Sequence, residues 1–163
     1  FNLKAKTWFP LGAFFPYQLY KEELPVVASL FNLPSDESSI SQLMDCYNLD
    51  LFVLTHGKFG TKIYSNNTIV KGEPAHFTPE EKADSIGAGD ACTAAILHGT
   101  SRCWPLQKTA NFANHMGAYV ASRSGATPHL PSEILTEWKN WLPLYTGAMN
   151  NQSLRRSRLS HGK

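Results

Sequence analysis

Residues 82–97 read Lys82-Ala83-Asp84-Ser85-Ile86-Gly87-Ala88-Gly89-Asp90-Ala91-Cys92-Thr93-Ala94-Ala95-Ile96-Leu97, or KADSIGAGDACTAAIL. Gly87, Ala88 and Gly89 stand just before Asp90 and an apolar run with helical character, so the loop opens a helix. Such a loop presents backbone N–H groups that lack intrahelical acceptors, at the positive end of the helix dipole, and its small residues leave room for a phosphate. It reads as an anion site. Asp90 makes little sense as an anion binder, because its carboxylate would repel the ligand. Two roles remain for it. It caps the helix, or it acts as a general base, taking the proton from an attacking hydroxyl while the amides neutralise charge on a transferring phosphoryl group. The motif alone leaves both open.

Working outward, the stretch Leu49-Asp50-Leu51-Phe52-Val53-Leu54-Thr55-His56-Gly57 predicts a strand buried on both faces, of the kind found in sheets covered by helices. Thr61 to Tyr64 and Thr68 to Val70 predict a hairpin around an Asn66-Asn67 turn. Upstream, Lys21 onward (KEELPVVASLF) predicts a helix with an early, tolerable Pro25, and Ser38 to Tyr47 a second. Pro74 to Pro79 reads as an extended run towards the glycine motif. Downstream, Asp90 to His98 predicts a helix, Pro105 starts a longer one to about Ser122, and Ser132 to Leu142 gives a last one in which Trp138 and Trp141 pack. The aromatic and proline-rich opening to Tyr20 shows no clean period and stays unassigned. This element order implies an α/β layer structure.

At 163 residues, 42% hydrophobic and 17% charged, the chain is expected to be soluble and globular, and no apolar run is long enough to span a bilayer. Much of the +2 net charge sits in the tail that carries Arg155, Arg156, Arg158 and Lys163, so no nucleic-acid footprint is expected on the body. Cys46, Cys92 and Cys103 form neither a disulfide framework nor a CxxC pair, which points to a reducing, cytoplasmic setting. The first residues do not look like a signal peptide. The histidines show no ligand spacing, and no Ser or Cys has a His partner in a recognisable motif.

Asp84-Ser85-Ile86-Gly87-Ala88-Gly89-Asp90 with Ala91-Cys92-Thr93-Ala94-Ala95 closely resembles the DTxGAGDxFxA signature of the ribokinase-like (PfkB) carbohydrate kinases, with Ser85 for Thr and Cys92 for Phe. Thr55-His56-Gly57-Lys58-Phe59-Gly60 resembles that family's TxGxxG. Asn114-His115-Met116-Gly117-Ala118 resembles its NxxGA helix, and Gly125-Ala126-Thr127-Pro128 its GATP turn. The closing GATPHLP looks most like the fructokinase branch.

The resemblance implies the C-terminal portion of a three-layer α/β/α sandwich with a mainly parallel central sheet. It divides the chain into a remnant of a preceding αβ region (1–20), the nucleotide-binding half of the fold (21–145) and a basic, disordered tail (146–163). It implies an ATP-dependent sugar kinase in which Asp90 is the catalytic base and Gly87, Ala88 and Gly89 form the anion hole. ATP would be bound by Thr55, Gly57, Gly60, Asn114, Gly117 and Ala118, with Asn114 against the adenine. Magnesium (Mg2+) would be organised indirectly by Glu23, and a potassium ion (K+) by backbone carbonyls of Asp84, Ile86, Val120 and Gly125. The implied partners are ATP and a small sugar, with a homodimer in the full-length protein and neither nucleic acid nor membrane.

Two departures matter. The opening FNLKAK is a weak echo of the family's FDxNxR strand, and in the NxxE motif, expected at Tyr20-Lys21-Glu22-Glu23, Tyr20 replaces the asparagine. Tyrosine cannot offer the same amide geometry, and loss of such a supporting contact lowers activity. The glycine pair and acidic residue that hold the sugar in this family, and its β lid, have no counterpart in these 163 residues. A kinase-like scaffold that binds nucleotide or protein partners is therefore the alternative.

Overall fold

The computed structural model describes residues 16–65 and 68–140, and the chain divides into two compact units after Pro128. The opening FNLKAK, the Asn66-Asn67 turn, Trp141, Leu142 and the basic tail lie outside the described residues.

The first unit is built on four strands in the order β1 (Pro16–Tyr20), β2 (Leu51–Thr55), β3 (Thr61–Ser65) and β4 (Thr68–Lys71). β1 runs parallel to β2, in register from Pro16 opposite Leu51 to Tyr20 opposite Thr55. β2 with β3 and β3 with β4 are antiparallel. The sheet is thus mixed: β3 with β4 is the hairpin expected from the sequence, whereas the antiparallel pairing of β2 with β3 leaves β1 with β2 as the one parallel pair among the described residues, less parallel than the resemblance implies.

β2 is buried along its whole length, as a run of β-branched and apolar residues without alternation predicts. Phe52 and Leu54 join Leu19, Ile40, Leu43, Met44 and Tyr64 in a cluster under α1 (Leu24–Leu30) and α2 (Ser39–Tyr47). Leu51 and Val53, also fully buried, alternate to the opposite face. Thr61 on that face meets Cys92 of α3 (Ala88–Ser101), and α4 (Leu106–Ala121) packs closely on α3. Helices on both faces give the three layers, and each fully buried β2 side chain contributes ~1.5–3 kcal/mol.

Three boundaries move. The helix expected from Lys21 begins as a 3-10 turn over Lys21–Glu23, and α1 follows with Pro25 in its first turn, where the missing N–H has no cost. Pro105 is the N-cap of α4 rather than its first residue. α3 starts at Ala88, two residues ahead of Asp90, because Gly87 adopts φ 78° and turns the chain into the helix. The second unit contains α5 (Ser132–Asn140).

Candidate active site

The glycine loop is built by a lock between two turns. Gly87 is left-handed, and a Cβ there would fall on the Ala126 carbonyl oxygen and lie 2.8 Å from the Ala126 Cα. Only glycine lets the Gly125-Ala126 turn come this close. Asp84 completes the lock: its Oδ1 accepts the Ile86 N–H at 2.9 Å and its Oδ2 the Gly125 N–H at 3.0 Å. The carboxylate itself joins the two loops whose carbonyls were expected to frame a cation, and the Val120 carbonyl accepts the Arg123 N–H at 3.0 Å. Asp84, Ile86 and Gly125 are therefore held together, while Val120 serves the end of α4. Among the described residues no three His, Cys, Asp or Glu side chains gather as a metal site.

Within the loop the Ala88 N–H donates to the Ser85 carbonyl at 3.2 Å and the Ala91 N–H to the Gly87 carbonyl at 2.9 Å. The intervening N–H groups of Gly89 and Asp90 have no acceptor among the described residues. They are the free donors of a helix start. Asp90 is exposed at the third position of α3, and no side chain caps this helix. The capping role left open by the sequence is therefore not taken by Asp90.

The loop ends a cleft of about 570 Å³ whose lining includes Thr55, Gly57, Gly60, Asn114, Gly117 and Ala118. All six residues expected at ATP thus face one space, with Ala88 and Gly89 in the same lining. Gly87, Asp90 and the implied cation residues are not part of it. Thr55 is buried at the end of β2 and donates through Oγ1 to the Leu19 carbonyl at 3.3 Å. The following turn closes with the His56 N–H donating to the Gly60 carbonyl at 2.8 Å.

Asn114 is 7% exposed and donates Nδ2 to the Glu73 carbonyl at 2.8 Å. Its amide packs so tightly that a Cβ on Gly72 would come within 2.6 Å of Nδ2. With Gln107 donating to the Lys71 carbonyl at 2.8 Å and Asn111 accepting the Glu73 N–H at 3.0 Å, it forms a polar ridge on α4 that holds the exit of β4. The spacing 107, 111, 114 is the helical i, i+4, i+7 pattern, a signal present in the sequence and overlooked there.

The extended run after Gly72 supplies a wall of the cleft through Pro74, Ala75, His76, Phe77 and Pro79. Phe77 stacks edge-on against His115 and Tyr119 at 4.8 and 5.4 Å between ring centroids. Arg123 pins the next residues, donating to the Thr78 carbonyl at 3.2 Å and approaching Glu80 at 3.4 Å. The sequence shows this segment only as an extended run, because the ring contacts of Phe77 that order it fall on the distant α4.

Cys92 lines the cleft as a thiol: burial pushes its pKa up, which the Thr61 hydroxyl only partly offsets. That makes it a packing residue rather than a nucleophile.

The sequence profile of the pfkB family carbohydrate kinases matches residues 26–133. The chain belongs to that family. It is 30% identical over 93 residues to Fructokinase-1 of Oryza sativa subsp. japonica, covering 53% of this chain and 28% of that protein. Its fold matches the Burkholderia thailandensis nucleoside kinase in complex with inosine, with a TM-score of 0.61 at 19% identity, over 77% of this chain and 39% of that one. It also matches Vibrio cholerae O395 fructokinase in its fructose, ADP and calcium-bound form, with a TM-score of 0.56 at 25% identity, over 74% of this chain and 40% of that one. The chain therefore spans less than half the length of these pfkB relatives.

At the family's NxxE position, Glu23 accepts the Tyr20 backbone N–H through Oε2 at 3.2 Å. Its Oε1 has no hydrogen bond among the described residues. Tyr20 also belongs to the cleft lining. A Cβ on Gly89 would overlap the Tyr20 hydroxyl oxygen and lie 2.9 Å from its Cζ, so the phenol rests directly on the glycine. Burial, then Cys92, Asp90 and Glu23, raise the Tyr20 pKa. The hydroxyl is neutral at physiological pH.

Proposed function

We propose that this chain is the C-terminal, nucleotide-binding half of an ATP-dependent kinase that phosphorylates a sugar hydroxyl, fructokinase-like by its closest motifs. The observation that carries the reading is the lock of Gly87 on Ala126. It holds two free N–H groups, those of Gly89 and Asp90, at one end of a cleft lined by Thr55, Gly57, Gly60, Asn114, Gly117 and Ala118.

In this reading the adenine end of ATP lies towards Asn114 and Gly117, and the phosphates run towards α3. Asp90 takes the proton from the acceptor hydroxyl as the hydroxyl oxygen attacks the γ-phosphorus and the bond to the β-γ bridging oxygen breaks. The glycine-loop amides and the N-terminal end of α3 stabilise the charge on the transferred group. Bound magnesium would supply charge neutralisation on the phosphates, with Glu23 organising it indirectly, and potassium would sit by the loops that Asp84 joins. The acceptor sugar is held by a part of the protein outside this chain.

The test is a coupled assay of the full-length protein with ATP, magnesium and a panel of ketoses, aldoses and nucleosides, repeated on Asp90→Asn. Phosphorylation that survives Asp90→Asn removes the base assignment. One observation favours a second reading, a nucleotide- or partner-binding scaffold of kinase descent: Tyr20 lies on Gly89, where the phosphate has to come. A protein that binds ATP and phosphorylates nothing in the panel would make this the better reading.

A further inference from the structure

Resting on the kinase reading, we propose that Tyr20 is a movable plug of the phosphate end of the cleft, occupying the transferring phosphoryl group's place until it swings out. Gly89 has no side chain, and the space this leaves beside its Cα is the room a phosphate needs to reach the Gly89 and Asp90 N–H groups. The structure fills that space with the Tyr20 hydroxyl.

The two glycines of the loop differ in what fills their missing side chains. Gly87 faces the backbone of Ala126, whereas Gly89 faces only the end of one tyrosine ring. A backbone lock cannot give way without unfolding the turn. A ring can, by rotating about χ1 and χ2.

Three features make Tyr20 suited to leaving. It stands at the last residue of β1, where the chain passes into the Lys21–Glu23 turn, so its backbone is fixed while its side chain overhangs the cleft. It is 42% exposed, so an outward rotamer has solvent to enter. Its hydroxyl lies within electrostatic reach of the Asp90 and Glu23 carboxylates, and its capping contact with the Glu23 backbone is local to its own turn, so among the described residues no hydrogen bond ties it to α3 or α4. An incoming triphosphate would displace it, and the cost of displacement would be subtracted from the affinity for phosphate-bearing nucleotides alone. Adenosine, which has no phosphate, would bind without moving it.

The experiment compares the native protein with Tyr20→Ala and Tyr20→Phe by calorimetry, with ATP, ADP and adenosine as probes. Tyr20→Ala is expected to bind ATP about tenfold tighter, Tyr20→Phe to fall between it and the native protein, and adenosine to bind all three alike. Unchanged or weaker ATP binding by Tyr20→Ala overturns the plug, and so does an equal gain for adenosine. A second, ligand-free measurement guards against a misfolded variant. Gly89→Ala should lower the melting temperature in the native background and much less in the Tyr20→Ala background. Equal losses in both backgrounds overturn the contact itself. Sugar phosphorylation is scored separately: its absence in every variant removes the kinase reading, while the difference in ATP affinity still decides the plug.

Discussion

The two ends of the cleft are built differently. At the glycine-loop end, backbone meets backbone: Gly87 sits on Ala126, and the Asp84 carboxylate bonds the N–H groups of Ile86 and Gly125. At the hairpin end, side chains do the holding: Gln107, Asn111 and Asn114 reach from α4 to the main chain of Lys71 and Glu73. On the proposed kinase reading the glycine-loop end needs rigid donors, since donors that are already oriented cost no reorganisation when charge develops. The hairpin end needs only a wall of fixed shape, and amide side chains are sufficient for that. Tyr20 is the exception, a side chain set on the backbone-built end.

The largest expected effect lies at the glycine-loop end. On the proposed kinase reading, Asp90→Asn should lower kcat of the full-length protein by about 10²–10⁴, the usual contribution of a general base, while ATP affinity and melting temperature stay near native values. A proportionate loss of ATP affinity would mean that Asp90 acts in binding. Next is Gly87→Ala, which adds a Cβ at φ 78° against immovable backbone. A loss of about 2–4 kcal/mol in denaturant unfolding is expected, from left-handed strain plus overpacking. Gly125→Ala is its control, with φ 83° but open space around the new methyl, and should lose only ~1–2 kcal/mol. Equal losses for the two variants would show that the Ala126 contact contributes nothing.

What the sequence revealed and concealed follows the same division. Local patterns were legible. The unbroken run Leu51 to Thr55 is a buried central strand, the Asn66-Asn67 flanks pair as β3 and β4, and the small residues at 87–89 open a helix beside the Gly125-Ala126 turn. Long-range dependence was not. β1 was invisible because Pro16–Tyr20 becomes a strand only through its parallel partner, more than thirty positions downstream, and parallel pairs leave no local turn signal. The wall from Pro74 to Pro79 lacked a period because its order comes from Arg123, His115 and Tyr119. The Tyr20 departure was visible as a missing asparagine, but its position on Gly89 depends on how the β1 end meets the α3 start. Asp90 as a cap was excluded by backbone geometry, since the left-handed Gly87 moved the helix start ahead of it.

At the hairpin end, Asn114→Ala removes one part-buried hydrogen bond, the one to the Glu73 carbonyl. A loss of about 0.5–1.5 kcal/mol in unfolding free energy is expected. Because Asn114 lines the cleft, weaker ATP binding should accompany it in a calorimetric titration. Asn114→Asp should be no better, since a carboxylate would face the Glu73 carbonyl in place of a donor. If Asn114→Ala weakens ATP binding with no loss of stability, the residue is a direct ligand and the comparison between the two ends must be redrawn.

The smallest effect comes from the opposite face of the sheet, and it separates stability from site chemistry. Glu37 accepts hydrogen bonds from Lys62 Nζ at 2.8 and 2.7 Å and from the Tyr64 hydroxyl, tying the turn before α2 to β3. Partial burial pushes the Glu37 pKa up, but the hydrogen bonds from Lys62 and Tyr64 outweigh it and hold the group below the ordinary glutamate value. A depressed folded-state pKa stabilises the protein above the unfolded value, near pH 4.5, and that contribution fades as pH falls through the folded one. The pair is about one-third exposed, so solvent screening limits its worth to ~0–1 kcal/mol. Glu37→Gln should therefore lower stability slightly at pH 7, and the gap to the native protein should close as pH falls below 4.5 and through the lowered folded-state pKa. ATP affinity should be untouched, because neither Glu37 nor Tyr64 lines the cleft. A change in affinity would mean that strain on β3 reaches Thr61 and Cys92, coupling the two faces of the sheet through the one strand they share.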